Sequence, residues 1–444
     1  MNGSSEDHRA AVPATAPQAG EVRGRWAWAE PTVWTDRMLT ALEERANGGV
    51  WFRLMDKVFA ERNLRAAFAK VKRNHGAAGV DHVSVVEFEK RLDPNLRDLE
   101  QALRDDTYRP QAVRRVHIPK PGSRDQRPLG IPTVRDRVVQ GAVRHVLEPI
   151  FEREFAEHSY GFRPNRGAKD GLRRVQQLLD AGYTHVVDAD LQSYFDTIPH
   201  DRLMAHLRQR IADGRVLRLV ESFLKANVLD DLQEWTPSAG APQGAVLSPL
   251  LSNIYLNPLD HLLVQHGFEM VRYADDFVIL CRSAEQAERA LALVREWTAE
   301  AGLQLHPDKT RIVDVRTTAF EFVGYRFDRG KRYPRAKSLM KLKDRVRAQT
   351  RRTDGRALPV VLLDLNRTLR GWFAYFKHCY RTVFPTLDGW IRRRLRRILL
   401  KRRGRDGPGR SHYVHRLWPN AFFAEHGLFS LATAHRLACQ PPPG

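Results

Sequence analysis

The chain has 444 residues, 73 Lys and Arg against 52 Asp and Glu, and a formal charge of +21. Its length exceeds what one hydrophobic core usually supports, so two or more domains are expected, and 42% hydrophobic content excludes wholesale disorder. So large a basic excess points to a polyanionic partner, with Arg (59 against 14 Lys) suited to planar phosphate contacts. Cys281, Cys379 and Cys439 stand far apart with no C-x-x-C pair. A zinc ribbon and a disulfide framework are thereby disfavoured, and a reducing, cytoplasmic setting is expected. The chain shows neither an apolar signal-peptide core nor a run of some 18 apolar residues, so no membrane partner is expected.

Along the chain, the Ala/Pro/Gly/Ser-rich start predicts a flexible leader over residues 1–45. Pro and Gly punctuate Ile118–Gln140, where Lys120 and Arg127 fall on an expected hairpin. THVVDADL (Thr184–Leu191) reads as a strand ending on Asp190, with Asp188 a rival because residues two apart share a face. MVRYADDFVILC (Met270–Cys281) reads as a hairpin with Asp275 and Asp276 at its tip. An acidic residue at a strand end is commonly a turn residue, but here two such segments occur together. Three carboxylates on adjoining strands could hold two divalent ions that activate a 3′-hydroxyl and stabilise a departing pyrophosphate. Mg²⁺ suits all-oxygen ligation shared with substrate phosphates.

The charge is concentrated. Residues 325–420 hold 28 Lys and Arg against 6 Asp and Glu, a local excess of 22 that leaves the rest of the chain at −1. In Ile391–Arg405 the apolar Ile391, Leu395, Ile398 and Leu399 recur at helical spacing. Arg392, Arg393, Arg396 and Arg397 lie mostly around the other face and are expected to contact nucleic acid. Leu362, Leu365, Leu369, Trp372, Phe373 and Phe376 follow the same spacing and predict the core stripe of a helical bundle.

YADD at Tyr273–Asp276 resembles the catalytic box of reverse transcriptases. Further blocks fall in the order of the group II intron-encoded branch of that family: Ile118–Gln140, Ser159–Gly167 (SYGFRPNRG), Asp188–Leu203, Pro242–Asp260, Gly302–Thr310 and Phe320–Phe327. GWFAYF at Gly371–Phe376 resembles the maturase (X) domain of the same proteins, and the similarity covers roughly residues 50–430. In HGAAGVD (His75–Asp81), a run that resembles the N-terminal extension of intron-encoded enzymes, Gly76 and Gly79 suggest a loop that meets the template backbone. The resemblance implies an α+β right-hand polymerase whose palm is an antiparallel sheet with helices on one face. It implies reverse transcriptase fingers and palm over 46–330, a basic helical thumb over 331–412 and a short C-terminal extension over 413–444. The chain is similar to the endonuclease-lacking type, since no paired cysteines of an HNH segment occur.

Residue by residue, the resemblance makes Asp190, Asp275 and Asp276 the metal-binding triad. Asp190 is preferred to Asp188 because it sets Phe195 five positions on, at the family's sugar-discriminating position. Lys120 and Arg127 match the triphosphate-binding pair, Gln243 the loop beside the incoming nucleotide, and Lys309 the lysine that protonates pyrophosphate. Phe322 and Gly324 match the primer grip. The implied function is an RNA-directed DNA polymerase using two Mg²⁺ ions, with Mn²⁺ as a substitute, dNTPs, an RNA template and a DNA primer. Intron RNA is the implied template, and the protein would also assist its splicing. Two alternatives stay open: a domesticated relative acting in DNA repair or phage defence, and a splicing-only RNA-binding maturase.

Overall fold

The computed structural model describes residues 19–119, 126–231 and 233–440. Among these the strands are β1 (Val113–Pro119), β2 (Gln126–Ile131), β3 (His185–Asp190), β4 (Val228–Asp230), β5 (Gln233–Trp235), β6 (Glu269–Tyr273), β7 (Asp276–Cys281), β8 (Arg311–Asp314), β9 (Phe320–Phe322), β10 (Tyr325–Asp328) and β11 (Lys331–Pro334). They form three sheets ordered β2-β1-β4-β5, β6-β7-β3-β8 and β11-β10-β9. The class is α+β, as the motifs implied.

The sheet β6-β7-β3-β8 is antiparallel throughout and organises the molecule. Successive strand residues point to opposite faces, so each strand contributes to two cores. Val187, Ala189, Met270, Phe277, Ile279 and Cys281 enter one core, packed beneath helices that include Ser248–Gln265 and Ala284–Glu300. Val186, Val271, Val278, Leu280 and Val313 enter the other. Helices were expected on one face only. The structure instead lays the helix Ala168–Asp180 over β6 and β7 on the second face, through Leu172, Val175 and Leu178. The hydrophobic pattern of that helix could not say which face it would cover.

The fingers sheet joins the expected hairpin, β1 with β2, to β4 in parallel. After β2 comes the helix Val134–Glu152, buried along nearly its whole length and packed against the helices Met55–Phe59, Glu61–Arg73 and Ser248–Gln265. The glycines of His75–Asp81 are explained by the protein itself. A Cβ on Gly79 would come within 2.7 Å of the Thr133 backbone, and Arg137 donates to the Ala77 carbonyl at 2.6 Å. The loop therefore packs against the start of that helix.

Residues 19–45 are not a leader. Helices Ala19–Arg25 and Asp36–Glu43 bury Val22, Trp26, Trp34, Leu39 and Leu42, and the Trp34 indole donates to the His145 carbonyl at 2.9 Å. Three Trp residues within nine positions carried this signal, and the Ala/Pro-rich start obscured it. The expected thumb boundary also shifts. Lys331–Pro334 is β11, paired with β10, so the helical module begins at Ala336. Its helices Ala336–Gln349, Leu358–Phe376 and Val383–Arg402 share one core with Val414, Trp418, Phe423 and Leu431. Residues 413–440 are thus built into the thumb rather than appended to it.

Candidate active site

The three carboxylates meet where β3 and β7 end. Asp190 and Asp276 face each other in register, so their side chains leave the same face of the sheet. Tyr273 pairs with Asp276, leaving Ala274 and Asp275 as a two-residue turn. Asp276 is therefore the first residue of β7, and Asp275 alone sits at the tip. Ala274 carries φ 61°, the left-handed backbone such a turn needs at its first position.

A buried network holds this turn from below. Arg272 is fully buried; its Nε donates to Asp260 at 2.7 Å, and Nη2 closes a second bond to the same carboxylate. Its Nη1 donates to the Asn253 side chain at 3.0 Å and to the Ala274 carbonyl at 2.9 Å. Asn253 in turn donates to the Gly161 carbonyl at 2.8 Å. A Cβ on Gly161 would lie 2.2 Å from the Ala274 nitrogen, so glycine there lets two backbones touch. The motifs alone did not single out Arg272, Asp260, Asn253 or Gly161 as site residues. The available signal was a charge set inside apolar runs, as in MVRY and NIYLNPLD.

The electrostatics are those of crowded acids. Burial pushes the Asp276 carboxyl up to about 7, and the neighbouring Asp188, Asp275 and Asp190 push the same way. Burial raises Asp188 to about 6 against the pull of Arg311, and burial also raises Asp275. Lys309 forms an ion pair with Asp190, and Arg311 pairs with Asp188 at 3.4 Å. Asp190 and Asp188 thus each face a cation, Lys309 and Arg311 respectively, whereas Asp276 is left among acids. Among the described residues no three His, Cys, Asp or Glu side chains enclose one point as a metal cage. Mg²⁺ needs no such cage when substrate phosphates complete its shell. Facing carboxylates whose mutual repulsion a divalent cation would relieve suit that ion.

A cavity of about 360 Å³ is bordered by Arg115, Gly130, Phe195, Asp196, Trp235 and Gln243, and none of Asp190, Asp275 and Asp276 lines it. Phe195, on the short helix Tyr194–Thr197, is only 7% exposed. Its carbonyl accepts from the Ala241 N–H at 2.7 Å, which ties the helix to the Pro242–Gly244 loop. Arg127 on β2 donates to the Gln243 side chain at 2.8 Å, and the Gly130 N–H donates to the Gln243 carbonyl at 2.6 Å. The structure brings Arg127, Gln243 and Phe195 together; Lys120 lies outside the described residues.

Phe322 precedes, and Gly324 is the second residue of, another two-residue turn, between β9 and β10. Phe322 is buried, and Val323 and Gly324 take φ of 44° and 80°. The Val323 N–H donates to Asp276 at 3.3 Å, bringing this turn to the carboxylates.

The arginine run departs from expectation. Arg396 is 2% exposed, donates to the Trp418 carbonyl and Asn420 at 2.9 Å each, and lies over the Phe423 ring. It fastens residues 418–423 to the thumb and faces no nucleic acid. Arg392, Arg393 and Arg397 are half-buried. Helical spacing marked Ile391, Leu395 and Ile398 correctly as core, but the C-terminal helices widened the buried face to include Arg396. An exposed basic stripe lies instead on Lys337, Lys341 and Arg345, one turn apart. Among the described residues no helix is long and apolar enough to cross a membrane.

Residues 118–327 match the family described as reverse transcriptase (RNA-dependent DNA polymerase), and residues 339–418 match the group II intron maturase-specific domain. Protein YkfC of Escherichia coli (strain K12) is 37% identical over 290 residues, which is 56% of this chain and 76% of that protein. The group II intron-encoded protein LtrA of Lactococcus lactis subsp. cremoris is 41% identical over 170 residues, 38% of this chain and 28% of LtrA. The mitochondrial nuclear intron maturase 2 of Arabidopsis thaliana is 27% identical over 296 residues, 57% of this chain and 38% of that protein. The chain thus spans most of YkfC but under a third of LtrA.

Proposed function

The chain belongs to the group II intron type of reverse transcriptases, with the maturase-specific domain of that family, and on that premise we propose that it is an active RNA-directed DNA polymerase that copies intron RNA and assists its splicing. The observation that carries the reading is the register of Asp190 against Asp276, with Asp275 on the adjoining turn. Those three residues would hold two Mg²⁺ ions, or Mn²⁺ in their place. The ions supply an activated 3′-hydroxyl and charge neutralisation on the pyrophosphate.

The chain's own residues do the rest. Arg127, held in place by Gln243, would face the triphosphate; the family resemblance adds Lys120 to that role. Phe195 walls the cavity where a ribose 2′-hydroxyl would project, which selects dNTPs. Lys309, paired with Asp190, would give its proton to the leaving pyrophosphate. The Val323–Gly324 turn supports the primer strand. The exposed thumb stripe of Lys337, Lys341 and Arg345 takes RNA phosphates. Three cysteines with no disulfide partner fit a cytoplasmic setting.

The test is primer extension with purified protein, on RNA and DNA templates, with dNTPs or rNTPs, in Mg²⁺ and in Mn²⁺. Extension with dNTPs on RNA is expected, together with its loss in Asp275→Asn. Extension that survives Asp275→Asn would overturn the site. RNA binding without incorporation under either metal would leave a splicing-only maturase.

A further inference from the structure

Of residues 159–167 only Gly161 has a role above, as support for the Ala274 turn, yet the protein fixes their whole first half tightly. The Tyr160 N–H donates to the Arg272 carbonyl at 2.8 Å, so this segment runs beside β6. Gly161 is pressed against the Ala274 turn and held by Asn253. The buried Arg163 donates to both Glu152 oxygens at 3.0 Å and to the Ser159 carbonyl at 2.8 Å. Between these two anchors stands Phe162.

Phe162 has φ 58° and is 44% exposed. An aromatic residue in the left-handed region is strained, and its ring gains little from burial there. Strained residues persist where the surroundings over-determine them, and they gather at functional sites. The ring centroid lies 6.3 Å from that of Tyr273, tilted by 39°. Tyr273 is two residues from Asp275, and the pair forms a half-open aromatic face beside the carboxylates. Phe162 does not border the cavity of Phe195 and Gln243. On the side of Tyr273 stands Tyr375, whose hydroxyl donates to the Val323 carbonyl at 2.8 Å. A strand that reached the carboxylates past Val323 would meet Tyr273 and Phe162.

We propose that Phe162 is a primer-positioning residue, its ring and that of Tyr273 forming the face on which the terminal nucleotide of the primer rests. Base and sugar stacking on an aromatic side chain tolerates any sequence, as a site that must accept every primer end requires. This rests on the polymerase reading above.

The test compares wild type with Phe162→Gly, Phe162→Leu and Phe162→Tyr, extending a short DNA primer on an RNA template by one nucleotide. Phe162→Gly suits the backbone, so its thermal midpoint should equal or exceed that of wild type. Its KM for primer–template should rise about tenfold, on the scale of one lost stack, while KM for dNTP stays within about twofold. Phe162→Tyr should stay near wild type, and Phe162→Leu should match Phe162→Gly. Equal behaviour of the Tyr and Leu variants, or an unchanged primer–template KM in Phe162→Gly, would overturn the inference while leaving the polymerase intact. A wild-type protein that extends no primer would overturn the polymerase reading itself.

Discussion

Two hairpin turns face each other across the site, alike in length and unlike in how they are held. The Ala274–Asp275 turn and the Val323–Gly324 turn each span two residues and each force a non-glycine into the left-handed region. The first is locked to the palm by Arg272, Asp260 and Gly161. The second is held from the thumb side, by the Tyr375 hydroxyl on the Val323 carbonyl, the Arg335 N–H on the Gly324 carbonyl at 2.9 Å and Ser338 on the same carbonyl at 3.3 Å. One bond, from the Val323 N–H to Asp276, joins it to the carboxylates. The difference separates two demands. Carboxylates that hold metal ions must keep their geometry to within a fraction of an ångström, whereas a turn proposed to support the primer would have to follow the duplex.

The strongest challenge to this contrast removes the acid itself. Asp275→Asn should lower single-nucleotide incorporation by at least about 10³-fold, the scale at which lost transition-state charge stabilisation acts, with the fold intact by circular dichroism. Arg272→Met should cost roughly 3–5 kcal/mol in urea denaturation, because it strands Asp260 as a buried, unpaired charge. Adding Asp260→Leu should recover most of that stability but not the activity, since the Ala274 carbonyl still lacks its donor. Gly161→Ala should slow incorporation about 10²-fold by displacing the turn, an effect readable as kcat with dNTP KM little changed.

A smaller effect is electrostatic. Asp276 and Asp188 have folded pKa values raised above those of the unfolded chain. In metal-free protein their contribution to stability is full below pH about 4 and is lost as pH rises through about 6 to 7. The melting midpoint gained by adding Mg²⁺ should therefore be larger at pH 8 than at pH 5. Equal gains at both pH values would mean that the crowded acids are not where the cation binds. Smallest of all is Val323→Gly, which relieves a strained backbone and should stabilise by about 1 kcal/mol at most. It should leave the first-nucleotide rate within about twofold; a loss as large as that of Gly161→Ala would erase the distinction between the turns.

The site was legible where chemistry and local pattern coincide. Asp190, Asp275 and Asp276 each border a strand of strong apolar character, so both their type and their position showed in short windows. Arg127, Phe195 and Gln243 were identified through resemblance, and the fold brings them together from three stretches, the outer two 116 residues apart. The support was not legible. Arg272 and Asp260 look like surface charges until the helix Ser248–Gln265 is laid against β6. Arg396 read as part of a basic face because the helices that bury it come later in the chain. The same limit applies at the start, where Trp26 and Trp34 outweigh an Ala/Pro-rich composition only once their partners Glu43 and His145 are in place.

The palm sheet is a wall common to both cores. On its second face the apolar contacts run without a break from Val186 and Val278, through Phe320 and Tyr325, to Leu369, Phe376 and, within the thumb, Trp418. A lever hinged on a flexible linker could swing and could be cut away, but this thumb has no such joint. Freed from the rest, residues 336–440 would expose the apolar flank that now meets β9 and β10. Cooperativity follows from that continuity: polymerase body and maturase module should melt together, in one transition, despite the charge boundary that divides them in sequence.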